Sequence, residues 1–171
     1  MTAEGRQLRV MIITVSDRAN QGTYEDESGP LTESVVCHYL RETGFQVACE
    51  RKLVPDELDR IKTMLSRAAA DGVDLVLTTG GTGIGPRDVT PEATMAILEK
   101  EIPGIMAAVR AKYREAFPAA LLSRAVAGVS GNTLVVNLPG SVKAVTECLN
   151  VILPVFPHAL EMIAGGDTHP E

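Results

Sequence analysis

"DLVLTTGGTGIGPRDVTPEAT", Asp74 to Thr94, changes character twice within its length. It opens as an apolar run, passes through four glycines in six positions, and closes on Thr-Pro-Glu. A short, nearly all-apolar run suits the centre of a parallel sheet, where helices cover both faces. Thr90 as N-cap, Pro91 at the first helical position and Glu92 near the positive helix end mark a helix start. The stretch therefore predicts strand, glycine-rich loop and helix in immediate succession.

The same alternation extends in both directions. "LRVMIITV", Leu8 to Val15, is an apolar, β-branched strand pattern. "GPLTESVVCHYLRETG" predicts a helix with Pro30 at its first position, a stripe of Leu31, Val35, Tyr39 and Leu40, and Gly44 as its stop. "FQVACERKLV" predicts a second strand, and "PDELDRIKTMLSRAAADG" a helix with Leu58, Ile61, Leu65 and Ala68 on one face. "TPEATMAILEKE" continues the helix begun at Thr90, and a further helix is expected over 104–115. "SRAVAGVSGNTLVVNLPG" predicts two strands joined at Ser-Gly-Asn. Residues 142–163 read as helix interrupted at Pro154 and Pro157, with a frayed tail from about 165.

Strands alternating with helices predict an α/β fold with a mostly parallel sheet, expected as one domain over residues 1–171. Ligands of such sheets sit beyond the C-terminal strand ends. That rule selects "SDRANQGTYEDESG", "VPDE", "TTGGTGIGPRD" and "NLPGS" as one composite site.

The glycine loop is neither a Walker A motif, since Pro86 and Arg87 follow Gly85, nor a dinucleotide fingerprint, since no glycine stands three residues after Gly83. Glycines let backbone N–H groups approach an anion, and Thr78, Thr79 and Thr82 add hydroxyls. The plain alternative is a turn needing positive φ, but four glycines with three threonines exceed that need. Arg87 and Asp88 read either as an exposed ion pair of small worth or as a phosphate contact and a magnesium ligand. Asp56 is a candidate second carboxylate, or else an N-cap. Asp17, Glu25, Asp26 and Glu27 fit a solvated loop, flanked by the small residues Ser16, Ser28 and Gly29. Ser141 reads as an N-cap that aims a helix end at a phosphate. Cys148 and His158 read as packing residues, and no nucleophile–base triad is present in the pattern.

Composition excludes several classes. The chain has 171 residues, 45% hydrophobic, with a net charge of -6. That argues against general nucleic-acid binding, which needs basic patches. No Trp and 4% aromatics leave few stacking platforms. The scattered Cys37, Cys49 and Cys148, with His38, His158 and His169, form no zinc pattern and fit free thiols in a reducing cytoplasm. The N-terminus has no signal pattern, and "VMIITV" is too short to span a bilayer.

"TTGGTGIGPRDVTPEAT", with "VSDRANQGTYEDESGP" upstream and "LSRAVAG" and "LVVNLPGS" downstream, resembles the molybdopterin adenylyltransferases of molybdenum-cofactor biosynthesis, the MogA type and the gephyrin G domains. The resemblance runs from about Val10 to Ile163. It implies a three-layer α/β/α sandwich, a homotrimer, and adenylyl transfer from MgATP to molybdopterin with release of pyrophosphate. By its "PDE" and "RD" motifs it implies that Asp56 and Asp88 are catalytic and hold Mg2+. It implies substrate contacts from Ser16, Asp17, Thr78, Thr79, Gly80, Gly81, Thr82, Gly83, Arg87, Asn137, Pro139, Gly140 and Ser141. It also implies hand-over of product to a downstream metal-insertion protein.

One departure stands out. Relatives carry basic residues in the late turn, where this chain has "SGN", so Lys143 or Arg18 is expected to replace those cations at the ligand. Rival readings are a MoaB-type paralogue, a non-catalytic trimeric binding or scaffold module, and a nucleotide hydrolase related to the CinA N-terminal domain. The extended first loop favours the MogA type, the two retained acidic motifs disfavour the scaffold, and a CinA relative is expected to carry a fused second domain.

Overall fold

A computed structural model describes residues 7–166. Its strands are β1 (Gln7–Val15), β2 (Gln46–Val54), β3 (Leu75–Thr79), β4 (Lys100–Glu101), β5 (Ala127–Ser130) and β6 (Thr133–Leu138). Its helices are α1 (Asp17–Asn20), α2 (Ser28–Glu42), α3 (Leu58–Ala70), α4 (Thr90–Met95), α5 (Pro103–Tyr113), α6 (Val142–Ile152) and α7 (Phe156–Ile163). The sheet runs β2-β1-β3-β6-β5-β4. The first four strands in that order are mutually parallel, while β5 and β4 add antiparallel pairings at one edge.

Alternate residues of the central strands feed two separate cores. Leu8, Val10 and Ile12 of β1 pack with Leu75, Leu77, Leu134 and Val136 against helices α2, α5, α6 and α7. Met11, Ile13 and Val15 pack with Val76 and Val135 against α3 and α4. The result is a three-layer α/β/α sandwich. Ile12 and Ile13 are both fully buried, so a polar residue at either position has no solvent side to turn to.

Register brings four strand ends together. Val15 pairs with Val54, Thr14 with Thr79, and Thr79 with Leu138. The loops after β1, β2, β3 and β6 therefore leave from one end of the sheet, as the topology rule requires.

Three expectations change. Helix α2 begins at Ser28, ahead of Pro30, because the Asp26 carboxylate accepts the Gly29 N–H at 2.9 Å and starts the turn early. Its buried face is Thr32, Val36, Cys37 and Leu40, with Leu31, Val35 and Tyr39 half-buried beside it. Helix α4 stops at Met95, and Lys100–Glu101 become an edge strand on β5. Gly165 and Gly166 close α7 by donating to the Met162 and Glu161 carbonyls at 3.0 and 2.9 Å. The rest of the expected tail, with His169, lies outside the described residues.

Candidate active site

The loops after β1 and β2 are tied by a reciprocal pair. Asp17 N–H donates to Asp56 Oδ2 at 2.7 Å, and Asp56 N–H donates to Asp17 Oδ1 at 3.0 Å. Asp56 does not cap α3, whose start carries no side-chain hydrogen bond. Arg87 grips Asp17 through Nε at 3.0 Å and Nη2 at 2.8 Å. The ion pair expected for Arg87 thus forms with Asp17, contributed by another loop, and Arg87 is turned away from the phosphate role while it lasts.

These contacts set unequal carboxyls. Arg87, helped by the Asp56 N–H, holds the Asp17 carboxyl below the ordinary value. Burial pushes Asp56 above it, and the charges of Asp17 and Asp88 add to the rise while the Asp17 N–H opposes it. Asp56 Oδ1 faces the glycine loop, 3.2 Å from where a Cβ on Gly81 would stand.

The loop after β3 is shaped by close approaches. Gly80 has φ +99°, and a Cβ there would fall 2.3 Å from the Val15 carbonyl. Gly81 has φ +64°, and its Cβ would strike the Thr90 hydroxyl at 2.3 Å. That hydroxyl donates to the Gly80 carbonyl at 2.9 Å. Thr90 therefore does not cap α4 as expected. It is fully buried, and its donor serves the glycine loop instead.

A cavity of about 490 Å³ opens between these loops. Of the expected residues, Ser16, Asp17, Asp56, Thr79, Gly80, Gly81, Gly140 and Ser141 line it. Ser16 and Ser141 also cap α1 and α6, accepting the Ala19 and Ala144 N–H groups at 3.2 and 3.3 Å. A second cavity, about 650 Å³, lies across the Asp17–Arg87 pair over β2 and α3, with Arg60 and Arg67 in its wall.

Other expected contacts stand elsewhere. Thr78 and Asn137 are fully buried beneath the loop. Asn137 Nδ2 donates to Thr78 Oγ1 at 3.0 Å and Thr94 Oγ1 at 2.9 Å, so this amide is spent on the scaffold. Thr82, Gly83, Asn137 and Pro139 are absent from the cavity wall. Asp88 is absent too; its Oδ2 accepts the Gly85 N–H at 2.8 Å, although its charge reaches Asp56.

Residues 11–158 match the family described as "Probable molybdopterin binding domain". The chain belongs to this family. It is 37% identical over 159 residues to the molybdopterin adenylyltransferase of Helicobacter pylori strain J99, covering 92% of this chain and 89% of that protein. It is 41% identical to gephyrin of Dictyostelium discoideum across 90% of this chain, spanning only 22% of gephyrin's length. The crystal structure of the molybdopterin biosynthesis enzyme MoaB from Thermus thermophilus superposes with a TM-score of 0.80 at 46% identity, over 92% of this chain and 97% of that one.

Within this molybdopterin-binding domain, two lining residues escaped the motif reading. Asp26 accepts the Thr14 hydroxyl at 2.6 Å, and Ser28 shares a hydrogen bond of 2.9 Å with Thr79. Their partners lie on β1 and β3, so nothing local in a charged loop distinguishes Asp26 from Glu25 or Glu27. Arg18 reaches the cavity and stacks over Tyr24 at 5.0 Å. Lys143, by contrast, lies over the Phe117 ring at 5.8 Å and outside the cavity wall.

The Ser130–Asn132 departure also changes meaning. That turn joins β5 to the start of β6, whereas the site lies past Leu138 at its end. Five residue steps along a strand span roughly 17 Å, which separates the turn from this chain's own cavity. Cys148 is buried in the core as expected, while His158 is on the exposed side of α7.

Proposed function

We propose that this chain transfers an adenylyl group from MgATP to molybdopterin, releasing pyrophosphate, in molybdenum-cofactor biosynthesis. The observation that carries the proposal is the convergence of the four strand-end loops, with Asp17, Asp56, Gly80, Gly81, Gly140 and Ser141, on one cavity. The adenylyltransferase relative that the chain covers almost end to end supports the same reading.

The reaction joins two anions, since the pterin's terminal phosphate must attack the α-phosphorus of ATP in line. Charge neutralisation and alignment are therefore the site's main work, and no protein nucleophile is required. The Gly80 N–H is spent on the Leu138 carbonyl, so the phosphate donors fall to the backbone that follows it at Gly81 and to the capped start of α6. Arg18 supplies a cation at the cavity wall. Arg87, in the wall of the neighbouring cavity, is a second once it exchanges Asp17 for a phosphate oxygen.

The acidic residues fit magnesium. Their donors are hard oxygens, and Asp56 Oδ1 faces the loop while Oδ2 is held by the Asp17 N–H. No group of three or more His, Cys, Asp or Glu gathers for a metal among the described residues. That agrees with an ion taking one or two carboxylates, Asp56 and Asp88, plus phosphate oxygens. When bound, the ion neutralises the triphosphate and so favours departure of pyrophosphate. Asp88 Oδ2 accepts the Gly85 N–H, which leaves Oδ1 to share the ion.

A homotrimer is part of the proposal. Phe117, Leu121 and Leu122, close in sequence and each about half exposed, are apolar side chains suited to burial between subunits. No helix among the described residues is long and apolar enough to cross a membrane, and we place the enzyme in the cytoplasm, passing its product to a downstream metal-insertion protein. The likeness to the Thermus MoaB, a molybdopterin biosynthesis enzyme, favours a MoaB-type paralogue as the second reading, beside a non-catalytic molybdopterin-binding module.

Purified protein with molybdopterin and MgATP decides between them. Adenylyl-molybdopterin and pyrophosphate should form in equal amounts, and Asp88→Asn should abolish both while the protein stays folded. Binding of molybdopterin without product supports the non-catalytic module. Full activity in Asp88→Asn removes that residue from the chemistry.

A further inference from the structure

Arg124 lies just ahead of β5, and its side chain spans the glycine loop from outside the cavity. Its backbone N–H donates to the Thr82 carbonyl at 2.9 Å. Its guanidinium donates from Nε to the Gly83 carbonyl at 2.7 Å and from Nη2 to the Asp88 carbonyl at 2.6 Å. The remaining nitrogen pairs with the Glu92 carboxylate at the start of α4. One planar group thus holds both legs of the loop and the helix that follows it.

Between those legs, residues 84–87 are exposed, with Ile84 at 68%. Their long-range tie is the exposed Arg87–Asp17 pair at the far end. The Asp88 carboxylate folds back into this turn, its Oδ2 lying 2.8 Å from where a Cβ on Gly83 or on Gly85 would stand. The position of Asp88 therefore depends on the separation of the legs, which Arg124 sets at the tip while Thr90 ties their base to the Gly80 and Gly81 carbonyls.

Arg124 is itself anchored. Arg110 of α5 donates to the carbonyls on either side of it, Ser123 and Ala125, at 3.3 Å each. Val126 exchanges hydrogen bonds with the buried Asn137, at 2.9 Å through the Asn137 N–H and 3.3 Å through Oδ1. The scaffold beneath the loop thereby fixes the clamp above it.

We infer that Arg124 is a positioning residue for adenylyl transfer, holding the glycine loop in the shape from which Asp88 acts. The inference rests on the adenylyltransferase reading. Gross stability is not its main contribution, because the Arg124 and Glu92 side chains are 37% and 46% exposed and such pairs stabilise weakly. Lysine cannot replace it, since one ammonium on a flexible stem does not reproduce a planar fork with three divergent acceptors.

The test uses the full chain with Arg124→Lys, and with Arg124→Ala for chemical rescue. Amide hydrogen exchange, which needs no substrate, should speed up across residues 82–89 in Arg124→Lys and stay unchanged in β3 and α6. With molybdopterin and MgATP, kcat should fall by about 10²-fold, the loss expected of a misplaced catalytic group, while KM for each substrate holds. Millimolar guanidinium should restore part of the kcat of Arg124→Ala. Should that variant fail to fold, Arg124→Lys carries the test. Wild-type kcat in folded Arg124→Lys, a loss confined to KM, or unchanged loop exchange would overturn the inference. A wild type that makes no product overturns the functional reading instead, and loop exchange then judges the clamp alone.

Discussion

Asp17 and Asp56 each place a backbone N–H on the other's carboxylate, at 2.7 and 3.0 Å. Two loops that leave different strands are joined through the charges they bring to the site. The junction sets two carboxylates against each other, and of the two only Asp17 pairs directly with the Arg87 guanidinium. Asp56 is left as the partly buried, less readily ionised member.

Replacing Asp56 with Asn keeps an oxygen for the Asp17 N–H and removes the charge. The folded-state pKa of Asp56 is raised, so the native chain binds its proton more readily than the unfolded chain does. Stability falls as pH rises through the window between the ordinary and the raised value, and the deficit persists at neutral pH. Asp56→Asn should melt at or above the wild-type temperature at pH 7 and flatten that acid-side slope. Adenylyl transfer should drop by about 10²–10³-fold. Thermal melts across a pH series, with product assays, check both halves.

Asp17 has the opposite sign. Its folded pKa is depressed, so the stabilisation from Arg87 is present above the ordinary carboxyl value and is lost as pH falls through the depressed one. Arg87→Gln should move the Asp17 titration, followed by carboxyl NMR shifts, up toward that ordinary value. A titration that stays put would mean the guanidinium contact does not persist in solution.

Two glycines should respond in opposite ways to alanine. Gly80→Ala combines positive φ with a 2.3 Å approach to the Val15 carbonyl and should cost at least about 1–3 kcal/mol. Gly104, inside α5, has open space around its Cβ position and no positive φ. Gly104→Ala should stabilise by about 0.4–1 kcal/mol through the unfolded state. Urea unfolding of both variants reads the contrast directly.

Asn137→Ala removes the shared partner of Thr78, Thr94 and the Val126 N–H. Leaving buried polar groups unpaired should destabilise by about 1–3 kcal/mol for each group so stranded. At a temperature where the variant remains folded, its KM for molybdopterin should match wild type. A selective rise in KM without loss of stability would instead restore Asn137 as a ligand contact.

What the sequence showed and what it hid divide along a physical line. The β3–loop–α4 order was legible because a strand buried on both faces is a bare apolar run and glycine and proline punctuate its exit. The end of α4 was not: Ile97 and Leu98 keep a helical spacing, yet they pack against the α3-side core as β4 joins the sheet edge. Thr78 and Asn137 looked like loop residues. They are cross-strand neighbours in register, and motif spacing does not report which way a strand-end side chain turns. Arg124 stands in the block "LSRAVAG", yet its task was hidden, because two of its acceptors are backbone carbonyls, which have no residue identity to recognise.

The tight hairpin at Gly131 and Asn132 lies at the end of the sheet away from the cavity, with Gly131 at φ +56° and its N–H on Glu99. That end offers a place for a handle. A short affinity peptide spliced into the hairpin, used to fix the protein to a sensor surface, leaves the mouth of the cavity pointing into solution. Ligand arrival is then recorded on correctly oriented molecules rather than on a random layer.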